Sequence, residues 1–284
     1  MIRISVLAIC VLSVGCKTTH SMRALPGQPL TVSVVNQEPK LIVEAEELLR
    51  FAPPESADPD RLRMAVSEGR WDQVRLLTQE QLRREPAHPK YFTYLAIAYA
   101  ALGDLQNAQL YIDLILREDP QNAMALNLAG ILTWRKAVVL EDYRRALALF
   151  NLAAQSQDQL YAPRLNMGYM YLRLGNLESA LSEFEQTKKK CGDCLPALLG
   201  SAITAQRLSR FEQAGEDLKK LLAIDSDHPM ANYLMGLQVR LHDKNVEKSY
   251  EWFERVLESP TADIELHERS RAFLSSQTLD DPNL

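Results

Sequence analysis

The sequence predicts an all-α protein built as a right-handed superhelix of stacked helical hairpins, with a capping helix at each end. Three observations carry that prediction. The first is composition: Ala, Leu, Glu, Gln and Arg recur throughout, only 11 glycines are present, and β-branched runs are scarce away from the N-terminus, a balance that favours helix. The second is a spaced pattern of small and large residues that returns about every 34 residues. The third is punctuation, in which Gly-Asp or Gly-Asn pairs and prolines fall at fixed places within the pattern. The 284 residues, 46% hydrophobic and 24% charged, can build a sizeable core. A net charge of -5 argues against nucleic acid as a partner, because such proteins present a basic face.

Residues 1–15 read as an address. Arg3 supplies a positive start, Ile4 to Leu12 form an apolar run too short to span a bilayer, and small residues lead to Cys16. The segment Leu12 to Cys16 resembles the lipobox of bacterial lipoproteins, in which the cysteine after a small residue is cleaved free and lipidated. Gly15 fits that pattern; Ser13 departs from it, because Leu12 sits one place early. Ordinary signal cleavage and an uncleaved anchor are the alternatives. The resemblance implies a membrane anchor at Cys16, and Lys17 in place of Asp implies sorting to the outer membrane, facing the periplasm. Residues 16–40, broken by Pro26, Gly27, Pro29 and Pro39, form an expected tether. Residues 41–54 carry apolar positions at helical spacing and end at Pro53 and Pro54, as expected for a helix that covers the open end of a stack.

From residue 55 to residue 260 the chain divides into six expected copies: 55–88, 89–122, 123–160, 161–194, 195–228 and 229–260. The second has Tyr91, Leu95, Ala96, Tyr99, Gly103, Asp104, Ala108 and Pro120. The fourth repeats that spacing with Leu165, Gly168, Tyr171, Gly175, Asn176, Ala180 and Phe184, and the fifth with Ala202, Ala205, Phe211, Ala214 and Leu218. The third is offset by an insertion near Lys136 to Glu141, the sixth by one residue near His242 to Asn245, and the first is degenerate. This series resembles the tetratricopeptide (TPR) repeat family. Small residues on the first helix of a hairpin admit the second helix closely, and large residues fill the groove so made. Residues 261–284 are expected to supply a C-terminal cap helix and a tail.

The resemblance implies a groove lined by the first helices. Carried onto this chain, its positions give an apolar and aromatic stripe of Ile97, Ile131, Trp134, Tyr169, Ile203, Tyr233 and Leu237, and a basic row of Arg135, Arg173 and Arg207, with Arg240 one place off. A peptide segment with apolar anchors and carboxylates suits such a groove, since arginine holds carboxylate in a bidentate fork. Alternatively, the arginines pair with glutamates of neighbouring helices. The carboxylate-clamp pattern of chaperone-binding members is absent, with Thr93 and Ile97 in the nearest places.

Cys191 and Cys194 form a CxxC at the crossing between the fourth and fifth copies. A redox centre would need a strand-helix context, and a zinc site would need further ligands. A disulfide that stiffens the turn is the third reading. The five histidines are scattered, no nucleophile or phosphate-loop motif is present, and the Lys188 to Lys190 run is expected to complement a helix dipole. The expectation is a non-catalytic protein-binding scaffold with no cofactor, metal or small-molecule substrate. As a whole the chain resembles pilotin-like lipoproteins of type IV pili, which assist secretin assembly, and the TPR lipoproteins of gliding machineries. The alternatives are the TPR adaptor lipoproteins of peptidoglycan hydrolases or outer-membrane protein assembly, and, more distantly, a CxxC redox protein.

Overall fold

The computed structural model describes residues 59–275 apart from residue 87, together with Leu48. The address segment, Cys16, the tether and residues 276–284 lie outside the described residues. So does the helix expected over 41–54, except at Leu48, which is helical and fully buried in the core of the first hairpins.

Among the described residues all regular structure is helical. Helices pair in sequence order: α1 (Pro59–Ser67) with α2 (Trp71–Arg84), α3 (Pro89–Ala101) with α4 (Leu105–Glu118), and α5 (Ala123–Arg135) with α6 (Leu140–Ser156). Three more hairpins follow: α7 (Ala162–Arg173) with α8 (Leu177–Cys191), α9 (Leu195–Arg207) with α10 (Phe211–Ile224), and α11 (Pro229–Leu241) with α12 (Val246–Glu258). The last helix, α13 (Ile264–Ser275), packs on α12 and α11 and buries Leu266, Ser270 and Phe273. The ring of Phe273 stacks on Phe253 with centroids 4.7 Å apart.

The two helices of a hairpin have different jobs. In α5, 10 of the 13 residues are buried, and α3 and α11 are similarly enclosed. The second helices bury a single face, Ala108, Ile112 and Ile115 in α4 or Ala180, Leu181 and Phe184 in α8, and turn charged residues outward. First helices therefore form the inner layer. They touch one another directly, α3 with α5, α5 with α7 and α7 with α9, while each second helix also contacts the first helix of the next hairpin.

Turn chemistry sets where each hairpin bends. Gly103 and Gly175 have φ of +83° and +78°, and the following amides, Asp104 N–H and Asn176 N–H, reach back to Tyr99 O and Tyr171 O at 2.9 Å in each case. The side chains of Asp104 and Asn176 then accept from Asn107 N–H and Ser179 N–H, capping the second helix. Ser209 occupies the glycine place in the fifth hairpin with φ of +59°, and Arg210 N–H makes the same return bond to Ala205 O at 2.8 Å. The inserted residues of the third hairpin lengthen the helix more than the connecting turn. Helix α6 has 17 residues where α4 has 14, and the extra ones lie at its N-terminal end.

Small and large residues are matched at one crossing. A β-carbon on Gly130, Gly168 or Gly236 would lie 2.6, 2.7 or 2.8 Å from the ring of Phe150, Phe184 or Phe253. The equivalent buried positions hold Ala96 and Ile112, Ala202 and Leu218, and in the first hairpin Leu62 and Thr78. As the first-helix residue grows, its counterpart shrinks, which keeps the volume of the crossing filled.

Candidate partner-binding face

The apolar stripe expected to line a groove is largely inside the protein. Ile97 and Ile131 have no exposed surface, and Trp134, Ile203, Tyr233 and Leu237 are buried. Direct packing between successive first helices explains this, because each inward-pointing side chain meets the neighbouring helix before it meets solvent. Trp134 packs edge-on to Phe150, and Tyr233 packs edge-on to Phe253. Tyr169 is half-buried, and its hydroxyl donates to Pro196 O of the next hairpin at 2.6 Å. A cavity of about 10 Å³ beside Ile97, Asn127 and Pro163 has room for at most one water. As an open groove for a peptide, the stripe is therefore corrected to an internal seam.

The basic row serves the stack as well. Arg135 donates to Ala100 O at 2.8 Å and Arg207 to Leu172 O at 3.3 Å, each reaching a carbonyl in the last turn of the preceding first helix. Arg173 lies over the Tyr143 ring, 5.7 Å from its centroid, and Arg240 faces Tyr250 and Phe273. These arginines thus meet carbonyls and rings of adjacent elements. Arg207 is exposed, while Arg135, Arg173 and Arg240 are half-buried.

Contacts that the sequence did not disclose join the hairpins most tightly. Lys188 Nζ bonds both carboxylate oxygens of Asp217, at 2.8 and 2.9 Å, and also meets Glu185 and Ser201. Asp217 is buried and the Lys188 side chain is 10% exposed, so this pair spans α8 and α10 largely out of water. Lys190 reaches Asp158 at 2.6 Å across the preceding linker. The lysine run therefore does more than complement the dipole of α8. Asn166 donates to Asn127 at 2.9 Å in another buried contact between first helices.

Cys191 and Cys194 are joined as a disulfide with Cα atoms 5.5 Å apart. Gly192 and Asp193 between them are both left-handed, with φ of 68° and 63°, and both amides donate to Lys188 O. Asp193 also pairs with Lys220 at 2.9 Å, which ties the turn to α10. His228 Nδ1 caps α11 by accepting from Ala231 N–H, and His242 stacks on Phe211. Among the described residues, no group of three or more His, Cys, Asp or Glu is placed to hold a metal ion.

Repeated hairpins, glycine-aromatic crossings and an inner layer of first helices define a tetratricopeptide-repeat solenoid, a fold that binds peptides or other proteins and is generally non-catalytic. Residues 65–123 match the tetratricopeptide repeat family model. Solved structures share the fold at low identity. PilW, a widely conserved type IV pilus biogenesis factor, superposes with a TM-score of 0.59 at 17% identity over 78% of this chain and 96% of its own. PilF of Pseudomonas aeruginosa gives 0.60 at 14% identity over 79% and 95%. YrrB, a TPR protein with an unusual peptide-binding site, gives 0.52 at 17% identity over 71% and 97%.

Proposed function

We propose that this chain is a non-catalytic scaffold that holds other envelope proteins while a membrane-spanning machine assembles, with a type IV pilus secretin or a gliding complex as the leading client. In this reading Cys16 carries the lipid anchor, and the solenoid faces the periplasm from the outer membrane. The observation that carries the proposal is the unbroken stack of six hairpins, tied by Lys188 to Asp217, Lys190 to Asp158 and Arg135 to Ala100. A stack so tied offers extended surface on a stiff frame. Its likeness to PilW and PilF over nearly their whole lengths supports the pilus among the possible clients. Because fold alone does not name a function, the client has to be identified directly.

Affinity capture of the full chain from its own envelope, after mild crosslinking, tests this. Recovery of a secretin subunit or a motility component is the expected result. Recovery of peptidoglycan hydrolases or outer-membrane assembly components instead would replace this reading with that of an adaptor.

A further inference from the structure

The turns inside the second to sixth hairpins form one continuous edge of the solenoid, because contacts link each to the next. Arg135 reaches Ala100 O beside the Leu102 turn, Arg173 covers Tyr143 just beyond the Val138 turn, Arg210 meets Glu178 at 3.0 Å, and the Phe211 and His242 rings are 4.5 Å apart. Among the described residues thirteen large hydrophobics are exposed, and seven lie on this edge: Leu102, Val138, Val139, Leu140, Leu174, Leu241 and Val246. The opposite edge, where one hairpin passes to the next, has Ile224 and Ile264. Each turn from the second hairpin onward, apart from the fifth, thus presents an exposed aliphatic side chain to solvent.

The middle turn projects furthest. Three added residues at the start of α6 carry it outward by about 4.5 Å at the helical rise of 1.5 Å per residue. Val138 there is 86% exposed. The tip is also held in place, since the Asp142 carboxylate accepts from Val138 N–H at 3.0 Å and Val139 N–H at 3.2 Å and is itself gripped by Arg145 at 2.6 Å. Three aliphatic side chains are therefore kept in water by a capped turn.

Charge divides the same way. Segments 102–107, 135–145, 173–178, 207–212 and 240–248 on the turn edge hold ten Lys and Arg against seven Asp and Glu. The linker segments 83–88, 117–122, 156–161, 188–194, 224–228 and 258–265 hold six against ten. The chain as a whole is acidic, so the turn edge stands out as its basic side.

We infer that the turn edge is a peripheral membrane-binding surface that rests on a bilayer containing anionic phospholipid. Projecting aliphatics insert among the acyl chains near the headgroups, and the exposed Lys136, Lys244 and Lys248 beside them pair with lipid phosphate. The exposed large hydrophobics of this edge are all aliphatic, with no Trp or Tyr among them. Pairing two copies edge to edge would bring cations against cations. This inference stands independently of the client's identity.

The test uses the full chain carrying Cys16→Ser, so that no acyl chain is attached, and vesicles of phosphatidylcholine with or without phosphatidylglycerol. Co-sedimentation with the anionic vesicles should fall at least about tenfold for the variant Val138→Asp/Leu140→Asp. It should be unchanged for a control altered on the other edge, Ile224→Asp/Ile264→Asp. Any binding by the N-terminal segment is common to all these proteins and cancels in the comparison. In a separate protein carrying Val138→Trp, the added fluorescence should shift to the blue and be quenched by brominated acyl chains, with the parent chain as baseline. Equal co-sedimentation of the two aspartate variants, or an unquenched Trp at position 138, overturns the inference. So does loss of self-association, rather than of vesicle binding, on altering Val138 and Leu140.

Discussion

A β-carbon placed on Gly200 would lie 2.4 Å from the ring of Phe184, a residue of the preceding hairpin. The same ring fills the space beside Gly168 within its own hairpin, at 2.7 Å. Phe184 is fully buried, so it has nowhere to retreat from either side. Alanine usually gains about 1 kcal/mol over glycine inside a helix, whereas overpacking a filled core costs about 1–3 kcal/mol. The clash wins here because the ring is pinched from two helices. Gly200→Ala should lower stability by about 1–2 kcal/mol, read by chemical denaturation. Adding Phe184→Leu should recover part of that loss, and a stabilised Gly200→Ala protein would refute the packing argument.

Between Lys188 and Asp217 the stack holds a charge pair that water barely reaches. Replacing Lys188 by Met would strand a buried carboxylate, a change that typically costs about 3–5 kcal/mol. The paired change Lys188→Met/Asp217→Leu removes both charges and should restore most of the stability. Equal loss in the single and the double variants would show that packing, and not the unpaired charge, is responsible.

Ser209 stands in a left-handed conformation that Gly103 and Gly175 fill in other hairpins. Ser209→Gly removes the side chain that strains this conformation. A gain of about 0.5–1 kcal/mol is expected, and differential scanning calorimetry would register it as a higher Tm. Lys244, with φ of +54°, should respond in the same direction.

Acid should loosen the turns. Hydrogen bonds from Asn107 hold the Asp104 carboxyl below the usual aspartate range, and backbone amides of Val138 and Val139, helped by Arg145, do the same for Asp142. A carboxyl lowered in the folded state stabilises fully above its unfolded value, about 3.9, and that stabilisation is lost as pH falls through the lowered value. Glu183 runs the other way. Burial raises its carboxyl despite Arg164, so its ionised form opposes folding. That opposition is absent below the unfolded value and complete above the raised one. Denaturation curves should show Glu183→Gln gaining stability at neutral pH with little change in acid. Asp142→Ala should flatten the acid limb.

Opening the disulfide should matter little. The loop between Cys191 and Cys194 is short, and its closure entropy corresponds to about 2 kcal/mol or less. Cys191→Ser/Cys194→Ser should fold, melt slightly lower and retain client capture. Loss of capture in a folded double variant would revive a redox role.

How far the sequence could be read depended on whether a residue's role is local. Hairpin ends were legible at Gly103, Gly175 and Pro120, because positive φ and a missing amide act within a few residues. The matched crossing was partly legible: Gly168 and Phe184 lie in one copy, but Gly200 meets Phe184 from the next. Groove positions such as Ile97 and Ile131 name a direction from their own helix axis and do not say how closely the next helix approaches. The arginine row was correctly spaced, yet its acceptors at Ala100 and Leu172 are backbone carbonyls, which have no side-chain signature. Asp217 lies 29 residues from Lys188 and resembles any outward-facing acid until the hairpins are stacked.

The scaffold proposal is tested most directly by deleting the protein in its own organism and measuring secretin multimers in outer-membrane fractions together with surface motility. The account predicts that multimers and motility are both lost, and that both return with the full chain but not with a version lacking Cys16. Normal multimers and normal motility without the protein would contradict it.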